Sequence, residues 1–285
     1  MDRISRTLVQ LALEEDLNEV GDLTSQTWVD PKHRSTGIIA AREPAVISGL
    51  EVARHVFQSV DSELEFVLHA EDGNAVAKGA PVCRIHGSTR SILTGERTAL
   101  NFLQRLSGIA TIASEYVQRV SHTGARILDT RKTTPGWRYL EKKAVSHGGA
   151  TNHRMGLYDM VMVKDNHLAA SPVSADLESQ IRHLKSRSPG LKIEVEADYL
   201  DQVDYFLRIE GIDAILLDNM SNADLKKAVS LRNKAQSAVK LEASGGVHLG
   251  TVKGIAETGV DSISVGAMTH SVRSIDLGLD LVTDS

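Results

Sequence analysis

The sequence is poor in cysteine and contains no long apolar run. Its 285 residues include one cysteine, Cys83, which excludes an internal disulfide, and the β-rich neighbours of this residue predict a buried, inert thiol. No segment approaches the ~18 consecutive apolar residues of a membrane span. The N-terminus runs into an amphipathic pattern instead of the long apolar region of a signal peptide. Together these absences predict a cytoplasmic protein.

Aromatic residues are scarce, and the net charge is small. The formal net charge is −5, which gives no general attraction to nucleic acid or to anionic membranes. Aromatic residues make up 4% of the chain, so aliphatic side chains must fill the core. The remaining composition is that of an ordinary globular protein, and the length suits one large domain or two ordinary ones.

The first third of the chain has the pattern of an α+β domain. Apolar positions in residues 4–15 fit one helix face, and short β-rich runs follow between 34 and 86. A helix near 50–59 interrupts these runs. The turns between them predict a mostly antiparallel sheet. A long helical stretch is predicted over 89–121, with a break at Gly108.

From about residue 125 the pattern changes to strands that alternate with helices. Such alternation is typical of a parallel sheet. The six β-rich runs lie at 126–129, 160–163, 191–195, 214–217, 239–243 and 262–265, with helices near 174–187, 199–210 and 221–235. Roughly 150 residues are too few for an eight-stranded barrel of ~250 residues. An open doubly wound sheet and a smaller closed barrel both fit, and a last helix is predicted at 272–282.

Polar, charged or glycine residues follow every one of these six runs. In parallel α/β folds, ligands bind at the carboxyl ends of the strands, so we expect these residues to lie together. In chain order they are Thr130, Arg131, Lys132, Lys164, Asp165, Asn166, His167, Glu196, Asp218, Asn219, Ser244, Gly245, Gly246, Gly266, Thr269 and His270. Random placement would scatter them, and the convergence therefore predicts a functional site.

The predicted site combines several cations with two carboxylates. Its cations are Arg105, Arg131, Lys132, His153, Arg154 and Lys164, and its carboxylates are Glu196 and Asp218. Such a set suits a ligand with several anionic groups, together with a metal ion. The pair Gly245 and Gly246 opens a helix after a strand, where bare backbone N–H groups can approach a phosphate.

Each of these residues also has an ordinary structural interpretation. Arg131 and Lys132 fit a solvated loop pair, and the two glycines fit a tight turn. Asp218 fits a helix cap before Ser221. The histidines fit surface positions, and none of the His, Cys and Asp residues has the local spacing of a structural zinc site. Their joint placement at one sheet edge favours the functional interpretation.

At these residues the sequence closely resembles the quinolinate phosphoribosyltransferase family. The matching segments are 96–111, 129–136, 148–157, 163–167, 194–196, 217–219, 242–246 and 264–270, with further matches at 15–17 and 21–24. These are long, ordered matches. One departure is an inserted residue near 209–211, in the helix between Glu196 and Asp218, which leaves both motifs intact.

The resemblance implies an α/β fold of the type II phosphoribosyltransferases. It implies an N-terminal α+β sandwich domain over 1–115 and a six-stranded parallel α/β barrel-like catalytic domain over 116–270. A C-terminal helix over 271–285 would pack back on the first domain. It also implies a homodimer in which Arg105 is donated across the interface, and no nucleic-acid or membrane partner.

The activity implied is transfer of the phosphoribosyl group of 5-phosphoribosyl 1-diphosphate to quinolinate with decarboxylation. The products would be nicotinate mononucleotide, diphosphate and CO₂, in NAD biosynthesis. Implied quinolinate ligands are Arg105, Arg131, Lys132, His153, Arg154 and Lys164. Implied phosphoribosyl diphosphate ligands are Lys132, Lys164, Glu196, Asp218, Ser244, Gly245, Gly246, Gly266 and His270. The implied catalytic residues are Glu196, Asp218, Lys132 and Lys164, with Mg²⁺ held mainly through diphosphate and water near the two carboxylates.

Three other functions fit parts of the sequence. A related transferase, of the kind found beside molybdenum transport genes, would act on a different heterocycle, but the full cation set favours a dicarboxylate. A barrel lyase would use Lys132 or Lys164 in a Schiff base and would leave the two carboxylates unexplained. A phosphate-ligand sensor would bind its ligand without turnover.

Overall fold

The computed structural model describes residues 1–170 and 177–282, which belong to two compact units. The first unit comprises 1–114, 133–149 and the chain from 268 onward, and the second comprises 115–132 and 150–267. The predicted boundary after residue 115 lies within one residue of the first division. The stretch 133–149, by contrast, was predicted in the second domain and belongs to the first unit.

The helices and strands follow most of the predicted pattern. The helices are α1 (Arg3–Leu17), α2 (Leu23–Trp28), α3 (Leu50–Val60), α4 (Thr89–Val120), α5 (Arg138–His147), α6 (Asp165–Ala170), α7 (Leu177–Arg187), α8 (Leu200–Phe206), α9 (Asn222–Lys234), α10 (Val252–Ala256) and α11 (Ala267–His270). The strands are β1 (Arg34–Ala41), β2 (Ala45–Val46), β3 (Glu65–Leu68), β4 (Ala75–Val76), β5 (Pro81–Ser88), β6 (Arg126–Leu128), β7 (Met160–Val163), β8 (Lys192–Ala197), β9 (Ala214–Asp218), β10 (Lys240–Ser244), β11 (Ser262–Ser264) and β12 (Leu277–Val282). No helix among the described residues is long and apolar enough to cross a bilayer.

Small differences remain at the ends of the predicted helices. The first residues of the predicted helix 174–187 lie outside the described residues. The helix predicted over 199–210 ends at Phe206, so residues 209–211, where an insertion was predicted, lie in the turn before β9 and not within a helix. That turn contains Gly211 with a positive φ of 96°, and it leaves the strands on either side intact.

An antiparallel sheet forms the first unit, as predicted. Its strand order is β12-β1-β5-β3, and β2 pairs with β4 separately. Alternate residues of β1 are buried, including Ile39 and Ala41, because successive side chains of a strand point to opposite faces. Cys83 on β5 is fully buried, and burial raises its pKa to about 12, which agrees with the predicted inert thiol.

The predicted C-terminal helix over 271–285 is wrong. Residues Leu277–Val282 form β12, which pairs antiparallel with β1 and places Leu277 opposite Ala41. Leucines at 277, 279 and 281 recur every second residue, which is the period of a strand and not of a helix. The strand also covers the edge of β1, whose N–H and C=O groups would otherwise lack ladder partners.

The predicted break at Gly108 is also wrong, because α4 continues through this residue. A Cβ atom at position 108 would overlap the carbonyl oxygen of Arg273. Glycine is therefore present to allow close backbone approach, and it does not end the helix. The neighbouring contact from the Ile275 N–H to the Gln104 carbonyl, at 3.0 Å, anchors the same segment against α4.

The second unit is built on a parallel sheet of six strands, which confirms the predicted sheet. Its order is β6-β11-β10-β9-β8-β7. The order runs in one direction from β7 to β11 and then returns to β6. A doubly wound sheet reverses its strand order at a switch point, so this order is that of a barrel-like sheet.

Within the described residues no ladder joins β6 to β7, and a short segment lies between them instead. Thr151 donates its N–H to the Ile127 carbonyl at 2.8 Å and accepts the N–H of Asp129 at 3.1 Å. Three residues later, the Arg154 guanidinium donates to the Met160 carbonyl of β7 at 3.1 Å. Segment 151–154 therefore links the two edges of the sheet.

An aspartate ties β8 to the start of β9. Asp213 accepts the N–H of Ile193 at 2.9 Å and hydrogen bonds from Lys192 at 2.8 Å and from Lys185 of the preceding helix at 2.6 Å. These hydrogen bonds lower the pKa of Asp213, although its burial acts in the opposite direction. The carboxylate thus fixes how the two strands align.

The same arrangement recurs between β10 and β11. Asp261 accepts the N–H of Leu241 at 3.0 Å, a hydrogen bond from Lys240 at 2.9 Å and one from Arg232 of the preceding helix. The register is also the same, since Glu194 lies opposite Ala214 and Glu242 lies opposite Ser262. Glu194 and Glu242 therefore occupy equivalent positions in two similar βαβ units.

The close approach at Gly108 gives a stability prediction. Replacement by alanine should lower the free energy of unfolding by about 1–3 kcal/mol, because the overlap with Arg273 outweighs the ~0.5–1 kcal/mol that alanine gains over glycine in a helix. Urea denaturation measures this change. At Gly124 an added Cβ would have no atom within 4 Å, so Gly124→Ala is the control and should change stability by less than about 0.5 kcal/mol.

Candidate active site

A cavity of about 510 Å³ lies at the carboxyl ends of the parallel strands in the second unit. It collects side chains from the ends of all six strands, as predicted. The predicted residues that line it are Arg131, Lys132, His153, Arg154, Lys164, Glu196, Asp218, Ser244, Gly245 and Gly246. Four residues without a predicted role also line the cavity, namely Met162, Leu216, Glu242 and Ser264.

Arg105 and His270 belong to the first unit. The Arg105 guanidinium donates to the buried carboxylate of Glu141 at 2.9 Å and to the Thr134 hydroxyl at 2.9 Å. Nδ1 of His270 lies 2.6 Å from the Ser271 hydroxyl. Gly266 follows β11 and is not among the lining residues of the cavity. Ligand roles for Arg105, Gly266 and His270 stay predictions.

Two of the four predicted catalytic residues, Lys164 and Glu196, form an ion pair, in which Lys164 donates to a carboxylate oxygen of Glu196. Glu196 is the second-last residue of β8 and is largely buried, whereas Lys164 follows β7 and keeps part of its side chain exposed. The pairing compensates the buried charge of Glu196 and fixes it at the cavity wall.

Asp218 lies at the end of β9 beside a tight turn. Asn219 donates its side-chain N–H to Asp218 at 2.7 Å and its backbone N–H to the Ser244 carbonyl at 2.9 Å. The interpretation of Asp218 as a helix cap is wrong, because Ser221 caps α9 through the N–H of Asp224 at 3.2 Å. The Asp218 carboxylate therefore stays available to the cavity.

The cations at the other wall are crowded. Burial lowers the pKa of Arg154, and the positive charge of Arg131 lowers it further. Arg154 keeps a fixed position through the Met160 carbonyl and through a contact of 3.5 Å with the Met162 sulfur. Because an anion placed between Arg131 and Arg154 would relieve their repulsion, this wall suits a carboxylate or phosphate.

Two glutamates outside the set of predicted site residues contact His153. Nε2 of His153 is 3.2 Å from Oε2 of Glu194 and 3.5 Å from Oε1 of Glu242. Burial alone lowers the pKa of His153, but the two carboxylates outweigh it and raise this pKa to about 10. Burial in turn raises the pKa of Glu194. A charged residue inside a strand of a buried parallel sheet was the signal that could have identified both glutamates.

The glycine turn gives a prediction that needs no substrate. Gly245 has a φ of +94°, and a Cβ there would overlap the side-chain amide of Asn219. Gly246 has a φ of +59° with no atom near an added Cβ. Gly246→Ala should therefore lower the free energy of unfolding by about 1–2 kcal/mol, and Gly245→Ala by clearly more. If chemical denaturation shows that both variants lose the same free energy of unfolding, the close approach of Gly245 to the Asn219 side chain is contradicted.

Comparison with known proteins identifies the family. The family model of the quinolinate phosphoribosyl transferase C-terminal domain matches residues 109–280, and that of the N-terminal domain matches residues 22–107. The chain is 42% identical over 279 residues to the carboxylating nicotinate-nucleotide pyrophosphorylase of Mycobacterium leprae, with 97% of each chain covered. It is 40% identical to decarboxylating quinolinate phosphoribosyltransferase 1 of Nicotiana glauca, over 97% of this chain and 82% of that one.

Solved structures agree with the sequence relatives. The nicotinate-nucleotide pyrophosphorylase of Francisella tularensis superimposes with a TM-score of 0.90 at 35% identity, over 98% of this chain and 96% of that chain. That of Ehrlichia chaffeensis gives a TM-score of 0.87 at 36% identity, over 97% and 98%. Similarity therefore extends over both units, and the chain belongs to the quinolinate phosphoribosyltransferase family.

Proposed function

We propose that this protein transfers the phosphoribosyl group of 5-phosphoribosyl 1-diphosphate to quinolinate and releases CO₂, which yields nicotinate mononucleotide and diphosphate. The observation that carries this function is one cavity with a cationic wall, two carboxylates and a glycine turn. The relatives are named for the same reaction, and they give no support to an enzyme that acts on another heterocycle.

The cationic wall is where quinolinate binds. Quinolinate carries two adjacent carboxylates on a pyridine ring, and Arg131 and Arg154 supply planar guanidinium groups that can each pair with a carboxylate. Lys132 adds a further positive charge at the same wall. Burial lowers the pKa of Arg154 and the nearby charge of Arg131 lowers it further, so a bound dianion would favour the charged form of Arg154.

The opposite wall accepts the phosphoribosyl diphosphate. Gly246 has open space beside its backbone, so a phosphate can approach the N–H groups that follow Ser244. Glu196 and Asp218 present hard oxygen atoms, the ligand type that Mg²⁺ prefers, and the ion would lie near them through water and diphosphate. Bound Mg²⁺ supplies positive charge that offsets the charge of the leaving diphosphate.

The reaction needs no protein nucleophile. The bond from ribose C1 to diphosphate breaks and its electron pair leaves with diphosphate, while the pyridine nitrogen forms the new bond to C1. Positive charge develops at C1 during this exchange, and the carboxylates of Glu196 and Asp218 stabilise it. Lys164, paired with Glu196, adds a cation beside the departing anion.

Decarboxylation follows from the product of the first step. Once its nitrogen carries ribose, the pyridinium ring accepts the electron pair of the breaking bond between C2 and its carboxylate. A proton from solvent then takes the place of CO₂. The protein contributes by holding the ring at the cationic wall, and only the C2 carboxylate leaves because C2 is the carboxylated carbon that is bonded to the charged nitrogen.

A turnover assay with quinolinate, 5-phosphoribosyl 1-diphosphate and Mg²⁺ tests the function. We expect nicotinate mononucleotide and CO₂ from quinolinate and no product from nicotinate. In the same assay Arg131→Ala should lower quinolinate affinity by about 2–4 kcal/mol, because a carboxylate loses its charged partner. The exposed Arg208 provides the matched control Arg208→Ala. Absence of turnover, or near-normal quinolinate affinity of Arg131→Ala, would contradict the assignment.

We also propose that the chain acts as a homodimer in which Arg105 is donated to the cavity of the partner. The buried carboxylate of Glu141 supports this role, since it orients one side of the Arg105 guanidinium and holds the side chain ready.

Mixing two inactive variants tests the shared site. If Arg105 acts across the interface, Arg105→Ala and Asp218→Ala subunits form mixed dimers with one intact site. Random exchange should then restore about 25% of wild-type activity, since half of the dimers are mixed and each has one intact site of two. Arg131→Ala mixed with Asp218→Ala is the control and should restore none. No recovery in the first mixture, with exchange verified, would exclude donation across the interface.

A further inference from the structure

Glu194 and Glu242 form a cluster with His153 at the candidate site, and neither glutamate has an assigned role. Glu194 and Glu242 are 1% and 3% exposed, and they occupy equivalent positions on β8 and β10. Neither carboxylate oxygen of Glu194 nor Oε1 of Glu242 has a hydrogen-bond partner among the described residues, and the charged contact they have is the ion pair with Nε2 of His153, at 3.2 Å and 3.5 Å. Two carboxylates in this environment require compensation, because an isolated buried charge is strongly destabilising.

Two hydrogen bonds fix the position of His153, one at its ring and one at its backbone. Its Nδ1 accepts the N–H of Arg154 at 2.7 Å, and its own backbone N–H donates to the buried Asp129 carboxylate at 2.8 Å. Since an acceptor at Nδ1 carries no proton, the ring proton lies on Nε2, where it faces Glu194 and Glu242. Contacts from the strand ends and from the chain segment itself thus fix the orientation of the ring.

The charged groups around the ring act in different directions. Glu194 and Glu242 face it from β8 and β10 and favour a second proton, on Nδ1. The Arg154 amide contact at Nδ1 opposes that proton, as does the burial of the ring. Both protonation states keep the proton on Nε2. The contact between His153 and the two glutamates therefore depends on the proton at Nε2.

We propose that Glu194 and Glu242 are positioning residues, which together hold the Nε2–H of His153 and so fix segment 153–154 against a carboxylate of the substrate. The identity of that substrate rests on the proposed function, whereas the state of the ring does not. Arg154 directly follows His153 and reaches β7, so a ring that turns freely would also release the guanidinium at the quinolinate wall.

A divalent metal ion is the alternative for such a cluster, since the three ligand atoms lie within 4.8 Å of one another. Two observations favour the proton. The Arg154 amide occupies Nδ1, which leaves Nε2 protonated and without a lone pair for a metal. The guanidinium of Arg154 already places a positive charge near Glu194.

Nitrogen NMR of the histidine rings tests the proposal on the intact wild-type protein. His153→Gln identifies the signals of His153. We expect Nε2 to remain protonated from pH 5.5 to 8.5, with no loss of its proton near the ordinary pKa of about 6.5. Deprotonation of Nε2 within this range would overturn the proposal, and so would a stoichiometric metal ion in the purified protein, measured by elemental analysis.

The double variant Glu194→Gln/Glu242→Gln provides a second test of the proposal by the same NMR measurement. Removal of the two carboxylates takes away the charges that raise the pKa of His153, so its ring should titrate at a clearly lower pH than in the wild type. A ring spectrum like that of the wild type would overturn the proposal. The wild-type spectrum remains decisive if the double variant does not fold.

The KM values of the two substrates test whether Glu194 and Glu242 affect the binding of quinolinate. In the double variant the KM for quinolinate should rise by roughly tenfold or more above pH 7, while the KM for 5-phosphoribosyl 1-diphosphate changes by less than about twofold. Glu210 is exposed, so Glu210→Gln is the matched control and should alter neither KM. An equal rise in both KM values would indicate general structural damage and overturn the positioning role. Absence of any turnover in the wild type would refute the proposed function and leave the NMR result untouched.

Discussion

The alignment of neighbouring parallel strands is the constraint on which the candidate site depends. Asp213 and Asp261 each bind a backbone N–H of the preceding strand and two basic side chains, and so set the register of β8 against β9 and of β10 against β11. A shift by one residue would turn every inward side chain to the other face. Because the register is fixed, carboxylates, glycines and cations from distant parts of the chain meet at one edge.

Much of this fold follows from local sequence patterns. All six strands of the second unit and the antiparallel sheet of the first were predictable, since apolar runs and turn residues mark them. The errors concern features that depend on distant partners. β12 forms because β1 offers an edge more than two hundred residues away, and Gly108 is required by the backbone near Arg273, neither of which is visible in a local window.

The residues of the candidate site also fall into those that local sequence patterns predict and those that only the folded structure reveals. Arg131, Lys164 and Asp218 were predictable because they follow strands, and parallel topology brings strand ends together. Glu194 and Glu242 were missed because a glutamate between apolar residues normally indicates a side chain that faces water. Only the sheet shows that these strands are covered on both faces, and that the two glutamates share one histidine. Sequence patterns thus identify the rim of the site better than its supporting layer.

The pairing of β12 with β1 also constrains the order of events during synthesis. β1 emerges early from the ribosome, whereas its neighbour β12 follows the entire second unit in the chain. The N-terminal unit therefore cannot complete its sheet until the C-terminal unit has been translated, and β1 keeps an open edge throughout that interval. An open edge is a site for wrong pairing between chains, so the nascent protein has a period of exposure that an N-terminal domain with a continuous sequence would avoid.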